Sequence, residues 1–83
     1  MAGKILYKSS VRHDLKNIRQ QDVQRLLRKI REELTQNPRK GEPLHGEFEG
    51  LYKFRVGDYR VIYTISGKDA LILRIRHRAK AYD

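Results

Sequence analysis

Residues 51–63 constrain this chain more than any other stretch. Tyr52, Phe54 and Val56 alternate with Leu51, Lys53 and Arg55, and beyond Gly57-Asp58 the apolar series continues through Tyr59, Val61, Tyr63 and Ile65. A period of two marks a half-buried strand, and two such runs broken by a glycine-containing pair mark a hairpin. If Val56 and Tyr59 close the loop, Arg55 stands directly opposite Arg60 and both side chains point away from the core. Like charges facing each other across strands are destabilising. A chain that keeps such a pair is expected to place an anion between them.

The whole composition points the same way. The 83 residues carry a net charge of +9, large for one domain with a modest core, and residues 1–83 are read as a single domain. Nucleic acid, anionic membrane and acidic protein are the usual partners of so basic a chain. The positive residues are interleaved with apolar ones, unlike a disordered basic tail. There is no cysteine, which excludes disulfides and thiolate metal sites. No apolar run approaches the ~20 residues of a membrane span. Met1-Ala2-Gly3-Lys4 leads straight into Ile5-Leu6-Tyr7, too short for the apolar region of a signal peptide. The expected setting is cytoplasmic, with no membrane partner.

Lys4 to Lys8 reads as a strand, and Ser9 or Ser10 offers the N-cap of a short helix bearing Val11, Leu15 and Ile18 at i, i+4 and i+7. Asp22 suits a second helix start, and Val23, Leu26, Leu27, Ile30 and Leu34 form the cleanest helical stripe. Asn37-Pro38 ends it. Residues 39–50 read as a glycine- and proline-rich connection with a short strand at Glu47-Phe48-Glu49. A second hairpin turns at Ser66-Gly67-Lys68-Asp69, with Leu71, Leu73 and Ile75 inward and Ile72, Arg74 and Arg76 outward. The fold class is α+β in the order β-α-α-β-β-β: a twisted antiparallel sheet with both N-terminal helices packed on one face.

If Ile65 pairs with Leu71, Arg60 faces Arg76, and Arg55, Arg60 and Arg76 form a row across three strands. A slip of two residues would substitute Arg74 or Arg78 without changing the side of the sheet. Lys53 lies one step along. A merely solvated face would mix acids among its cations, yet no Asp or Glu occupies the outward positions of these strands. Guanidinium groups fit phosphate bidentately, so the row is read as an anion site.

RNA cleavage further requires activation of a ribose 2′-hydroxyl, stabilisation of the phosphorane charge and protonation of the leaving 5′-oxygen. Arg55 and Arg60 suit the second task. His45, His77, Glu42, Lys53 and Tyr82 are the available proton-transfer groups. Alternation puts His77 on the core-facing side, where packing on Tyr59 is an equal alternative to catalysis. Glu42 lies in a polar loop, and a solvated carboxylate is its plainer reading; His13 reads as surface. No His, Asp or Glu spacing suggests a metal site, and no phosphate loop or dinucleotide fingerprint suggests a cofactor. Tyr52, Tyr59 and Tyr63 read as core, whereas Tyr82, in a basic tail, could stack on a base.

Four features resemble the RelE/ParE superfamily of bacterial and archaeal type II toxins. They are the strand followed by two amphipathic helices; Glu42-Pro43-Leu44 with Glu49-Gly50-Leu51-Tyr52; Gly57-Asp58-Tyr59-Arg60-Val61-Ile62-Tyr63; and the ending Ile75-Arg76-His77-Arg78-Ala79-Lys80-Ala81-Tyr82. The resemblance implies a RelE-like microbial RNase-type fold and an mRNA interferase that enters the ribosomal A site. Cleavage by such members leaves a 2′,3′-cyclic phosphate and a 5′-hydroxyl. It also implies a cognate antitoxin, acidic and partly disordered, as partner beside ribosome and mRNA, with no cofactor. Members with a positively charged catalytic set match Lys53, Arg55, Arg60, Arg76 or Arg78, and Tyr82. YoeB-like members, with a glutamate base and histidine acid, match Glu42, Arg55, Arg60 and His77, although Arg78 stands where they carry a tyrosine. Arg74, Arg76, Arg78 and Lys80 are the implied RNA-binding cations. The alternatives are a ParE-like inhibitor of DNA gyrase, sharing the fold without the ribonuclease residues, and a non-catalytic RNA-binding module.

Overall fold

The computed structural model describes residues 3–77. Strand β1 (Ile5–Tyr7) leads into helices α1 (Ser9–Leu15) and α2 (Gln20–Gln36). A 3-10 turn at Pro38–Lys40, a two-residue strand β2 (Glu42–Pro43) and a second 3-10 turn at Gly46–Phe48 follow. The chain then runs through β3 (Leu51–Val56), β4 (Tyr59–Ser66) and β5 (Asp69–His77). The five strands form one sheet in the order β1-β5-β4-β3-β2. No described helix is long and apolar enough to cross a membrane.

The helices form where the apolar periodicity demands. Val11 of α1 and Leu26, Ile30 and Leu34 of α2 are buried, and Leu15 packs against the same cluster, as does Ile18, which lies beyond the end of α1 rather than on it as expected. Ser9 already lies within α1, after an N-cap at Lys8, so neither serine caps the helix. α2 starts two residues before Asp22, which sits in its first turn. It ends at Asn37, whose side chain accepts the Arg39 N–H at 3.1 Å as Pro38 turns the chain away.

The central hairpin has the expected register, with Val56 opposite Tyr59 and Arg55 opposite Arg60. Gly57, at φ +58°, takes the first loop position, where a left-handed conformation lets the turn twist match that of the strands. Phe54, Val56, Val61, Tyr63, Ala70, Ile72 and Ile75 face the helices and complete the core. Tyr63 is fully buried yet satisfied: its hydroxyl donates to the Pro38 carbonyl at 2.6 Å and accepts the Gly41 N–H at 2.9 Å. A Cβ on Gly41 would stand 2.6 Å from that hydroxyl, so glycine is what permits the approach.

The α+β architecture is the expected one, with three differences in detail. β1 pairs parallel to β5, making the sheet mixed, because the helical pair carries the chain across the sheet before the hairpins begin. The early edge strand is Glu42–Pro43, paired with Lys53 and Tyr52, while Glu47 and Phe48 belong to a 3-10 turn; proline is tolerated there because an edge strand can forgo one donor. Finally, Ile65 opposes Ala70 rather than Leu71, and a bulge leaves Leu73 between the Tyr63–Ile72 and Ile62–Arg74 pairs. Ile72 is therefore buried, with Leu71 and Leu73 on the outer side, while Ile75 faces the core as expected.

Candidate functional site

The outer face of the sheet carries two cross-strand rows. Arg55, Arg60 and Arg76 oppose one another on β3, β4 and β5. The neighbouring row runs Glu42, Lys53, Ile62, Arg74. Lys53 Nζ lies 3.7 Å from Glu42 Oε1, with the lysine side chain 26% exposed and the glutamate 73%. Arg55 is exposed, whereas Arg60 and Arg76 are half-buried. Lys53, Arg60, Arg74 and Arg76 share an open cleft with an apolar floor that includes Leu51, Ile62 and Leu73. Cations held against apolar surface are less screened than cations in free solution, which strengthens their pull on an anion. Phe48 stands at the rim, 53% exposed.

Arg74 differs from its neighbours. Its Nε and Nη2 each reach an Asp14 carboxylate oxygen at 3.0 Å. Burial alone would raise the Asp14 pKa, but hydrogen bonds from Arg74 and from the Ile75 amide, with the charges of Arg74 and Arg76, outweigh it and hold it below its ordinary value. The same bonds raise that of Arg74. Arg74 is thus neutralised by Asp14 within the chain, whereas Arg55 is the most exposed cation of the arginine row.

His77 lies on the other side of the sheet. It opposes Tyr59, their rings in edge contact with centroids 5.2 Å apart, and lines a second cleft with His13, Asp14 and Asn17. Tyr59 in turn donates to Asp22 at 3.4 Å; burial first, then the Asp22 charge, raises its pKa. Arg74 and Arg76 border both clefts at the β5 edge. The structure thus gathers Lys53, Arg55, Arg60, Arg76 and Glu42 on one face and places the His77 ring away from them. Glu42 is on an edge strand rather than in a loop. Arg78, Lys80 and Tyr82 lie outside the described residues.

Two features escape a reading centred on the strands. Eleven of the 19 lysines and arginines fall in residues 1–41, and Arg12, Lys16, Arg19, Arg28 and Arg31 are exposed on the helical layer. Counting charge by halves of the chain finds that layer. Ser10 and Asp14 also engage β5, and their i, i+4 spacing on α1 is the only trace of this in the sequence.

The family described as the ParE toxin of type II toxin-antitoxin system, parDE, matches residues 5–82. Over 52 residues, 59% of this chain, the sequence is 44% identical to Toxin RelE of Mycobacterium tuberculosis (strain ATCC 25618 / H37Rv); the match spans 54% of that protein, about half its length. Among solved structures, the toxin-antitoxin complex RelBE2 from Mycobacterium tuberculosis contains a chain similar at a TM-score of 0.88 and 26% identity, covering 94% of this chain and 100% of that one. The archaeal RelE-RelB complex from Pyrococcus horikoshii OT3 contains another at 0.73 and 27%, covering 98% and 100%.

Proposed function

We propose that this chain, which belongs to the RelE/ParE superfamily of type II toxins, is a ribosome-dependent endoribonuclease that cuts mRNA in the A site. The observation that carries the reading is the row Arg55, Arg60, Arg76 on an open sheet face, one step from the Glu42–Lys53 pair. The ribose 2′-oxygen forms a bond to the scissile phosphorus and the bond to the 5′-oxygen breaks. The 2′-proton leaves to a base and the 5′-oxygen gains a proton. Arg60, with Arg55 and Arg76, neutralises the charge that builds on the phosphorane oxygens. Lys53 and Glu42 are the described proton-transfer groups on the same face. A cognate antitoxin is the natural partner, as in the complexes of the similar chains, and its acidic segments complement the +9 charge.

The ParE description of the matching family favours a second reading, in which the chain poisons DNA gyrase and cuts no RNA. Toeprinting on programmed ribosomes separates the two. A-site cleavage is expected from the wild type and is lost by about 10²–10³-fold in Arg60→Ala, the scale of one transition-state charge donor. An uncut message together with gyrase-dependent DNA breaks would move the protein to the second reading.

A further inference from the structure

β1 stops at Tyr7, opposite Ile72, while β5 runs on to His77. Beyond Ile72 the edge of β5 has no strand beside it among the described residues, and its backbone polar groups need other partners. Helix α1 supplies two of them. Ser10 Oγ donates to the Leu73 carbonyl at 2.7 Å, and the Ile75 N–H donates to Asp14 Oδ2 at 3.0 Å. The same carboxylate takes Arg74 in a bidentate pair and is 9% exposed. Ser10 and Asp14 thus hold the bulged residue Leu73 and the strand just after it, and what the bulge decides is the direction of Arg76. Before it, Tyr63 opposes Ile72; after it, Arg60 opposes Arg76 and Ile75 lies in the core. Were the earlier register to run on without the extra residue, Arg60 would face Ile75 and Arg76 would turn toward the helices.

We propose that Ser10 and Asp14 are positioning residues for the cationic face, holding the β5 bulge so that Arg76 stands across from Arg60. The functional consequence rests on the reading of that face as RNA-binding. It makes a prediction opposite in sign to simple charge counting. Removing an acid from a cationic surface, and releasing Arg74 with it, should strengthen RNA binding if charge alone matters. If position matters, Asp14→Ala should weaken it.

The test measures binding of a short 2′-O-methyl RNA oligonucleotide, which cannot be cut, by fluorescence anisotropy across a salt series. It compares wild type, Asp14→Ala, Arg76→Ala and the double variant, with Ser10→Ala as a milder variant should Asp14→Ala not fold. In parallel, NMR follows the cross-strand contact between the Arg60 and Arg76 backbones. The expected result is about tenfold weaker binding in Asp14→Ala, the scale of one charged hydrogen-bonded pair. The salt slope should fall by about 0.7 for the lost phosphate contact, and Asp14→Ala should add little on top of Arg76→Ala. Unchanged or tighter binding in Asp14→Ala overturns the proposal, as does an equal loss when Arg76 is already absent. If the wild type binds no RNA, the functional reading fails, and the backbone contact decides the positioning alone: its persistence in Asp14→Ala overturns it, its loss upholds it.

Discussion

The two faces of β3, β4 and β5 are built from alternate residues of the same strands, yet they meet opposite demands. On the inner face Val61, Tyr63 and Ile72 are completely buried, and the one buried hydroxyl, that of Tyr63, is matched to Pro38 and Gly41. On the outer face Arg55 stands opposite Arg60 and Arg60 opposite Arg76, an arrangement of like charges that costs stability. The inner face is apolar and buried, while the outer face gathers cations beside one another, some of them paired within the chain, as Lys53 is with Glu42 and Arg74 with Asp14. Stability and binding should therefore respond to different residues, even to neighbours along one strand.

The largest test of this separation is Ile72→Ala. Truncating a fully buried isoleucine should lower stability by about 2–5 kcal/mol, through lost transfer energy and the cavity left behind. Urea denaturation reads the loss directly, and the folded fraction should keep its RNA affinity. A drop in affinity at full folding would show that the two faces are not independent. Arg55→Ala probes the other side with a smaller effect. Its stability should stay within about 0.5 kcal/mol, as for surface changes generally, while the slope of log K against log salt falls by about 0.7. A changed denaturation midpoint with an unchanged slope would place Arg55 in the fold rather than in the site.

How much of this was legible depends on how local each signal is. The Arg55–Arg60 pairing follows from period-two alternation and a two-residue loop, which leave no freedom in register. The stripe at Leu26, Ile30 and Leu34 is legible for the same reason, since helical periodicity is local. The inward turn of Ile72 was not legible. It depends on a bulge whose position is set by Ser10 and Asp14, some 60 residues away. The parallel direction of β1 is equally non-local, because no hairpin ties it to β5. The Glu42–Lys53 pair was hidden because two residues, one of them Pro43, give no strand pattern to read. The row of arginines was thus legible as a set of residue types, whereas the device that aims Arg76 was legible only in three dimensions.

The smallest expected effect concerns that device and is read through pH. The Asp14 carboxyl titrates below its ordinary value, so folding favours its ionised form. Its contribution is fully present above the ordinary aspartate range and is lost as pH falls through the lowered, folded value. Glu33 is also lowered, by its hydrogen bond to Lys40, but that pair lies at the surface, where salt screens it. Urea denaturation from neutral to acidic pH at high salt should therefore isolate Asp14. The wild type should lose stability across this window more steeply than Asp14→Ala, and the two curves should converge at the acid end. Parallel curves would mean that the carboxylate gives the edge of β5 no charge-dependent support, leaving Ser10 alone to hold the bulge and with it the third arginine of the row.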